Sequence, residues 1–223
     1  MRRNDLMFKK QTHMARRLWM SVIGVILCGI GVGFFKAAAF GVDPFQSLMA
    51  GLHEVIPMSF GLLYLLANLV LLLFSLIFDR SKIGLATIIN LTLLGYIVDF
   101  SHQSILRVLP CGSMPVRLTL LAVGLVILSI SCSLYITADL GVSTYDAVAL
   151  VGHDRWPKLP FAALRVLTDL VCVGLGVGLF LASGQPAAQL GQVAGIGTIL
   201  TAFCLGPLIE LCNRRFSRKL LNR

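Results

Sequence analysis

Long unbroken apolar stretches, separated by short polar connections, dominate this chain. Six of them, residues 18–40, 60–78, 83–100, 118–140, 160–182 and 193–211, match the about 20 helical residues that cross roughly 30 Å of hydrocarbon. Backbone amides cannot stay unpaired in lipid, so the pattern predicts helices; the alternating apolar and polar positions of a membrane barrel are absent. Two further apolar pieces, residues 43–56 and 143–153, reach only about 15–21 Å at about 1.5 Å per residue. They are predicted as short helices, either re-entrant or lying in the interface. The expected fold is all-α: a membrane protein of six transmembrane helices with one short helix in each half.

The pattern also repeats. Phe40-Gly41-Val42-Asp43-Pro44-Phe45-Gln46 aligns with Leu140-Gly141-Val142-Ser143-Thr144-Tyr145-Asp146 at an offset of about 100 residues, and His53-Glu54 then meets His153-Asp154. One residue further out of step, Tyr64 meets Arg165 and Asn68 meets Asp169. Gly84-Leu85-Ala86-Thr87 matches Gly195-Ile196-Gly197-Thr198, after which Gly95 meets Gly206 and Asp99 meets Glu210. Each unit reads as span, glycine break, short helix, span, hairpin, span. Three spans is an odd number, so the second copy is expected upside down relative to the first. Inverted 3+3 repeats recur in secondary transporters, whose sites lie near the midplane where broken helices meet.

The resulting organisation is a basic tail (1–17), repeat one (18–100), an external connection (101–117), inverted repeat two (118–211) and a second basic tail (212–223). Basic residues orient it. Fifteen of the 19 lysines and arginines fall before the first span, between spans two and three, between spans four and five, and after the sixth. They share one side only if there are six spans and both termini are cytoplasmic. Arg107 and Arg117 are left for the far side. The implied location is a bacterial cytoplasmic membrane.

Composition sharpens this. Hydrophobic residues make up 57% and charged residues 13%, against roughly 25% charged in soluble domains, and the mean hydropathy is +0.87. A soluble globule, a disordered chain and a nucleic-acid-binding domain are excluded. The net charge of +9 sits at the two ends, where it suits an anionic inner leaflet rather than DNA. The first span, about 23 residues long, exceeds a signal-peptide core of about 7–15, so it is expected to be retained. Of the six cysteines only Cys111 falls in a polar connection. Without a C-x-x-C pair, neither a disulfide nor a metal cluster is expected.

Gly41 and Gly141 each stop a helix, and Asp43-Pro44 and Ser143 read as starts of the next. A half-helix beginning inside a membrane protein points unpaired N–H groups at its surroundings, a seat for an anionic group; a plain interfacial connection is the alternative. Arg165 and Asp169 are four apart on one span and share a face. They are either a self-neutralising packing pair, or a carboxylate or phosphate clamp (Arg165) beside a coupling-ion site (Asp169). Asn68 adds a polar group at the corresponding depth. Asp139, two residues before the second break, and Asp146, with its counterpart Gln46, are expected along the path. Lys36, near a span end, either snorkels to the interface or touches solute. Asp99 and Glu210 read as solvated caps, Thr87 and Thr198 as packing residues.

No nucleophile elbow, H-E-x-x-H, P-loop or His-rich span motif occurs, so neither an enzyme nor a cofactor is expected. Transport would need an ion gradient or a separate ATPase partner.

Gly41-Val42-Asp43-Pro44-Phe45, Gly141-Val142-Ser143-Thr144-Tyr145-Asp146, Arg165 and Gly195-Ile196-Gly197-Thr198 with Gly206-Pro207 resemble the motifs of the YczE/YyaS/YitT-type bacterial integral membrane proteins. The resemblance covers nearly the whole chain between its basic tails. It implies a multi-span inner-membrane protein and specifies no substrate. Gln46, Thr144 and Asp169 depart from residues common in those proteins. The expected function is a small secondary transporter or permease for a small solute, an anionic one among the candidates, with a site lined by Arg165, Asp169, Asn68, Asp139, Asp146, Asp43, Gln46 and Lys36. A homodimer is one way to seal so small a bundle. The alternatives are a substrate-binding subunit of an ATP-driven importer and a non-transporting accessory protein docked through the basic tails.

Overall fold

A computed structural model of the chain describes residues 14–109 and 112–222. The basic residues Arg2, Arg3, Lys9, Lys10 and Arg223, together with Cys111, lie outside the described residues. What is described contains helices and no strand. In chain order these are α1 (Met14–Ala38), α2 (Pro44–Val55), α3 (Phe60–Phe78), α4 (Leu85–Val108), α5 (Met114–Ala138), α6 (Thr144–Arg155), α7 (Phe161–Ala182), the single turn α8 (Leu190–Val193), α9 (Ile196–Cys212) and α10 (Arg218–Asn222). Among the described residues 6 helical stretches are long and apolar enough to cross a membrane: α1, α3, α4, α5, α7, and α9 continued to Leu221.

The span positions follow the apolar pattern, but some ends differ from it. Most of the expected connection 101–117 is helix, because α4 runs on to Val108 and α5 already starts at Met114. Nothing after Phe100 breaks the helix until Pro110, which disfavours helical backbone at the residue before it. Pro115 sits in the first turn of α5, where its missing N–H is harmless. The expected C-terminal tail is also helical. A π-type turn, Asn213–Ser217, carries α9 into α10. Ser133 of α5 holds that turn by donating to Asn213 Oδ1 (2.7 Å) and bonding Ser217 Oγ (2.6 Å).

Helices α1 and α5 form the buried centre. They run in opposite directions: Met20 packs with Leu134 and Ala138, while Phe35 packs with Leu120 and Leu121. Glycine permits the close approach at two matched crossings. A methyl group at Gly24 would lie 3.1 Å from the Ser131 carbonyl oxygen, and one at Gly124 would lie 3.1 Å from that of Gly31. Around this pair, α3, α4 and α7 turn apolar side chains such as Val70, Ile77, Phe100 and Leu167 outward.

The two glycine breaks share one backbone shape. Ala39 and Asp139 have φ of 51° and 55°, and Gly41 and Gly141 have φ of 111° and 102°. Left-handed backbone is cheap for glycine and rare for alanine or aspartate, so both breaks must be held from outside. Each is held by the third long helix of the other half. Thr198 Oγ1 donates to the Val42 carbonyl (2.5 Å) and Gly197 N to that of Phe40 (2.8 Å). Thr87 Oγ1 likewise donates to the Val142 carbonyl (2.7 Å) and Ala86 N to that of Leu140 (3.1 Å).

Candidate functional site

The two short helices begin against each other. Phe45 and Tyr145, each the second residue of its helix, stand with ring centroids 5.2 Å apart. Local chemistry fixes both starts. Asp43 Oδ1 accepts from Gln46 N (3.0 Å), and Ser143 Oγ accepts from Asp146 N (3.0 Å), in each case an N-cap satisfying an otherwise unpaired donor. From there the helices diverge. Glu54 of α2 accepts from Gln185 (2.7 Å), just beyond the C-terminal end of α7. His153 of α6 bonds the Leu159 carbonyl (2.7 Å), just before the N-terminal end of α7. Helix α2 lies on α7 at Gly176 and Gly51, where any side chain at either glycine would collide with the facing backbone.

A cavity of about 490 Å³ opens where the short helices start, within the range of about 300–1,000 Å³ usual for small-molecule sites. It is walled by α1, α3, α4, α5 and α9 and floored by the two helix starts and Arg165.

Behind this floor lies a buried charge network. Arg165 (6% exposed) donates to Asp146 Oδ1 through Nη1 and to Asp169 Oδ2 through Nε (3.3 Å). Tyr145 donates to Asp169 Oδ1 (2.5 Å), and its ring stacks 4.4 Å from the guanidinium. Asp146 also accepts from Tyr135 Oη and from Ser143 Oγ (2.6 Å). Thr144 ties the assembly to α3 by donating to Asn68 Oδ1 (2.7 Å), while Asn68 donates to the Tyr64 carbonyl (2.9 Å). Each ion in the network is therefore paired and hydrogen-bonded, the condition under which charge survives burial.

The structure thus brings Arg165, Asp169, Asp146 and Asn68 into one network, and places Asp43 and Gln46 on the same cavity. Lys36 also lines it, 3.8 Å from Asp99 across the mouth. Asp139 stands elsewhere: it is the exposed left-handed residue ending α5, 4.0 Å from Arg17, and it does not line the cavity. Distance along the sequence suggested the cavity; the break turns its side chain away.

Four residues carry weight that the sequence reading did not give them. Tyr64, Tyr135 and Tyr145 are three of only 4 tyrosines in the chain, and all three line the cavity. That concentration in aliphatic spans was a legible signal. Asn90, a polar residue within the third span, also lines it. Among the described residues no group of three or more His, Cys, Asp or Glu could hold a metal ion, and Cys28, Cys132, Cys172, Cys204 and Cys212 are free thiols.

Comparison with known proteins gives a family without an activity. The family described as "Family of unknown function (DUF6198)" matches residues 15–214. The chain is 25% identical over 187 residues to the uncharacterized protein YyaS of Bacillus subtilis (strain 168), an alignment covering 84% of this chain and 87% of that protein. No solved structure matches it.

Proposed function

We propose that this chain, which belongs to the DUF6198 family, is a small secondary transporter or permease of the bacterial cytoplasmic membrane. Its two halves are an inverted 3+3 repeat, both termini are cytoplasmic, and the short helices α2 and α6 are re-entrant. The wider kinship with YczE- and YitT-type proteins belongs to the same proposal. It acts without covalent chemistry or a cofactor, on a solute held in the cavity at the helix starts; a homodimer would supply any further sealing.

The observation that carries this reading is the meeting of Phe45 and Tyr145. Two half-helices start nose to nose beside a cavity and end at opposite ends of α7. Broken helices converging on a central site are how inverted-repeat transporters build a binding site within the bilayer.

Charge narrows the solute class. The helix starts attract anions, but Asp43 and Ser143 with Asp146 already occupy them, and Arg165 is taken by two carboxylates. An anionic group would find no unengaged cation in the floor. Counting the lining carboxyls Asp43 and Asp146 against Arg165 leaves the floor with one acid more than it has cations, with Asp169 behind it, and the Lys36–Asp99 pair adds no net charge. The site suits a solute with an amine or other cationic group, contacted by Asp43, and compensated or coupled through the Asp146–Arg165–Asp169 network. The anionic solute suggested by the sequence is therefore the less favoured form of this proposal.

A thermal-shift series on the detergent-purified chain tests it, using small primary and quaternary amines beside small carboxylates. Asp43→Asn is the control, because asparagine caps a helix about as well as aspartate. Amines should raise the melting temperature of the wild type and not of Asp43→Asn. A shift by carboxylates alone, or by nothing, would overturn the assignment.

A further inference from the structure

The two halves make the same latch but not the same gap. Gly206 of α9 and Gly95 of α4 occupy corresponding positions, as do Ala162 of α7 and Gly61 of α3. On the α7–α9 side the helices are in contact: a methyl group at Gly206 would lie 2.9 Å from the Ala162 carbonyl oxygen and 3.2 Å from Arg165 Cβ. On the α3–α4 side they stand apart. A methyl group at Gly95 or at Gly61 would meet nothing within 4 Å, and both glycines line the cavity. Among the described residues α4 packs along α1 and scarcely touches α3, whereas α9 packs along α7.

Yet both third helices are anchored alike at their N-termini. Gly84 and Gly195 each donate to the threonine three residues on, at 3.2 Å in both, and each threonine grips the opposite break. The latches match; about eleven residues further along, the helices have taken different neighbours. One sequence pattern is thus held in two packings within a single molecule.

We infer that the two packings exchange: α3 and α4 close over the cavity, with Gly95 seated against Gly61 and Tyr64, as α7 and α9 part. This rests on the transporter reading and gives it its moving part. The α4 residues lining the gap run from Asn90 to Asp99, and Asp99 meets Lys36 near the last turn of α1, so the gap opens toward the end of the bundle where α1 finishes. The Gly206 contact seals the other end, where α7 begins. Exchange would therefore turn the cavity from one end of the bundle to the other. The gap side carries Tyr64, Asn68 and Asn90 where the sealed side carries Arg165, Asp169 and Thr201. Asn68 is already buried and paired, so closing the gap further covers Tyr64 and Asn90 and adds no second set of buried ions. The glycines on the open side are what let the helices meet without displacing a side chain.

Cysteine pairs read this directly in the full chain reconstituted into liposomes, oxidised with copper phenanthroline, with each disulfide identified by peptide mass mapping so that the native thiols can stay. Ala162→Cys with Gly206→Cys should cross-link readily. Gly61→Cys with Gly95→Cys should also cross-link, and in a chain carrying all four cysteines each molecule should hold one of the two disulfides, forming either one excluding the other. A Gly61/Gly95 pair that never cross-links while the Ala162/Gly206 pair does would overturn the exchange. So would both disulfides in one molecule, or failure of the Ala162/Gly206 pair in a folded chain. No solute is present in this assay. A chain that shows the exchange but no amine-induced stabilisation would lose its solute assignment and keep its moving part.

Discussion

Arg117 donates from Nε to the carbonyl of Ala38, 2.9 Å away, so an arginine at the start of α5 closes the end of α1. Arg17, about 100 residues earlier, does the same for α5 by donating to the Ala138 carbonyl at 2.9 Å. Both capping contacts fall where the helix dipole is negative and the last carbonyls lack intrahelical partners. Arg117 also donates to the Ala39 carbonyl (2.6 Å) and lies 4.7 Å over the Phe40 ring.

Arg117→Ala should therefore destabilise the protein by about 1.5–3 kcal/mol, the usual range for losing a hydrogen bond to a charged group. Arg17→Ala should fall at the lower end, having one such bond to the break. Thermal unfolding in detergent checks both, and Arg117→Gln should recover only part of the loss.

The threonine latches give a paired test. Thr87→Val and Thr198→Val each remove a hydroxyl that reaches the opposite break and leave a buried carbonyl unpaired, at a cost of about 1–3 kcal/mol. The two losses should agree within error, and Thr→Ser at either position should be nearly neutral because the donor is kept. Unequal losses would mean that the two halves are not held by matching contacts.

The buried network should behave as a unit. Arg165→Met leaves Asp146 and Asp169 facing each other unpaired, a change worth about 3–5 kcal/mol where one partner of a buried ion pair is removed. Adding Asp146→Asn and Asp169→Asn should restore most of that loss while abolishing any amine-induced stabilisation. Unfolding midpoints across the single, double and triple variants measure the coupling.

Outside the spans, Asp79 gives the pH dependence a sign. Burial is the largest single influence and pushes its carboxyl up, but the hydrogen bonds from Ser81 and the nearby Lys82 ammonium together outweigh it and hold the carboxyl below the ordinary range. The unfolded chain then binds the proton more readily, so this contribution is present at neutral pH and disappears as pH falls through the acidic carboxylate range. The loss of midpoint between about pH 7 and about pH 3, a window that spans carboxylate titration, should be smaller in Asp79→Asn than in the wild type.

Much of this architecture is written in the sequence. The spans show because a bilayer demands about 20 apolar residues in a row, and the repeat shows because both breaks need glycine at the same step. The Arg165–Asp169 face follows from helical spacing. What the sequence conceals is whatever depends on the neighbour across the bundle. Asp146, a first-turn acid by position, proves to be the second partner of Arg165, 19 residues away. Lys36, by position either an interfacial lysine or a solute contact, and Asp99, by position a solvated cap, meet at the cavity mouth. Arg17 and Arg117 were counted as orientation charges, and they close the broken helices. Thr87 and Thr198, assigned to packing, latch the breaks. In each case the partner lies on another element: Asp146 and Lys36 find theirs within their own half, whereas the two arginines and the two threonines reach the other half.

The inverted repeat is the claim on which the site, the solute reading and the exchange all depend, and the ends of the short helices test it most directly. Val55 and Arg155, about 100 residues apart, are both exposed at those ends. Val55→Cys and Arg155→Cys should each react with a membrane-impermeant maleimide in sealed vesicles, with the labelled peptide identified by mass. The account predicts that Arg155→Cys labels from the side carrying the termini and Val55→Cys from the opposite side. Labelling of both from one side would contradict it.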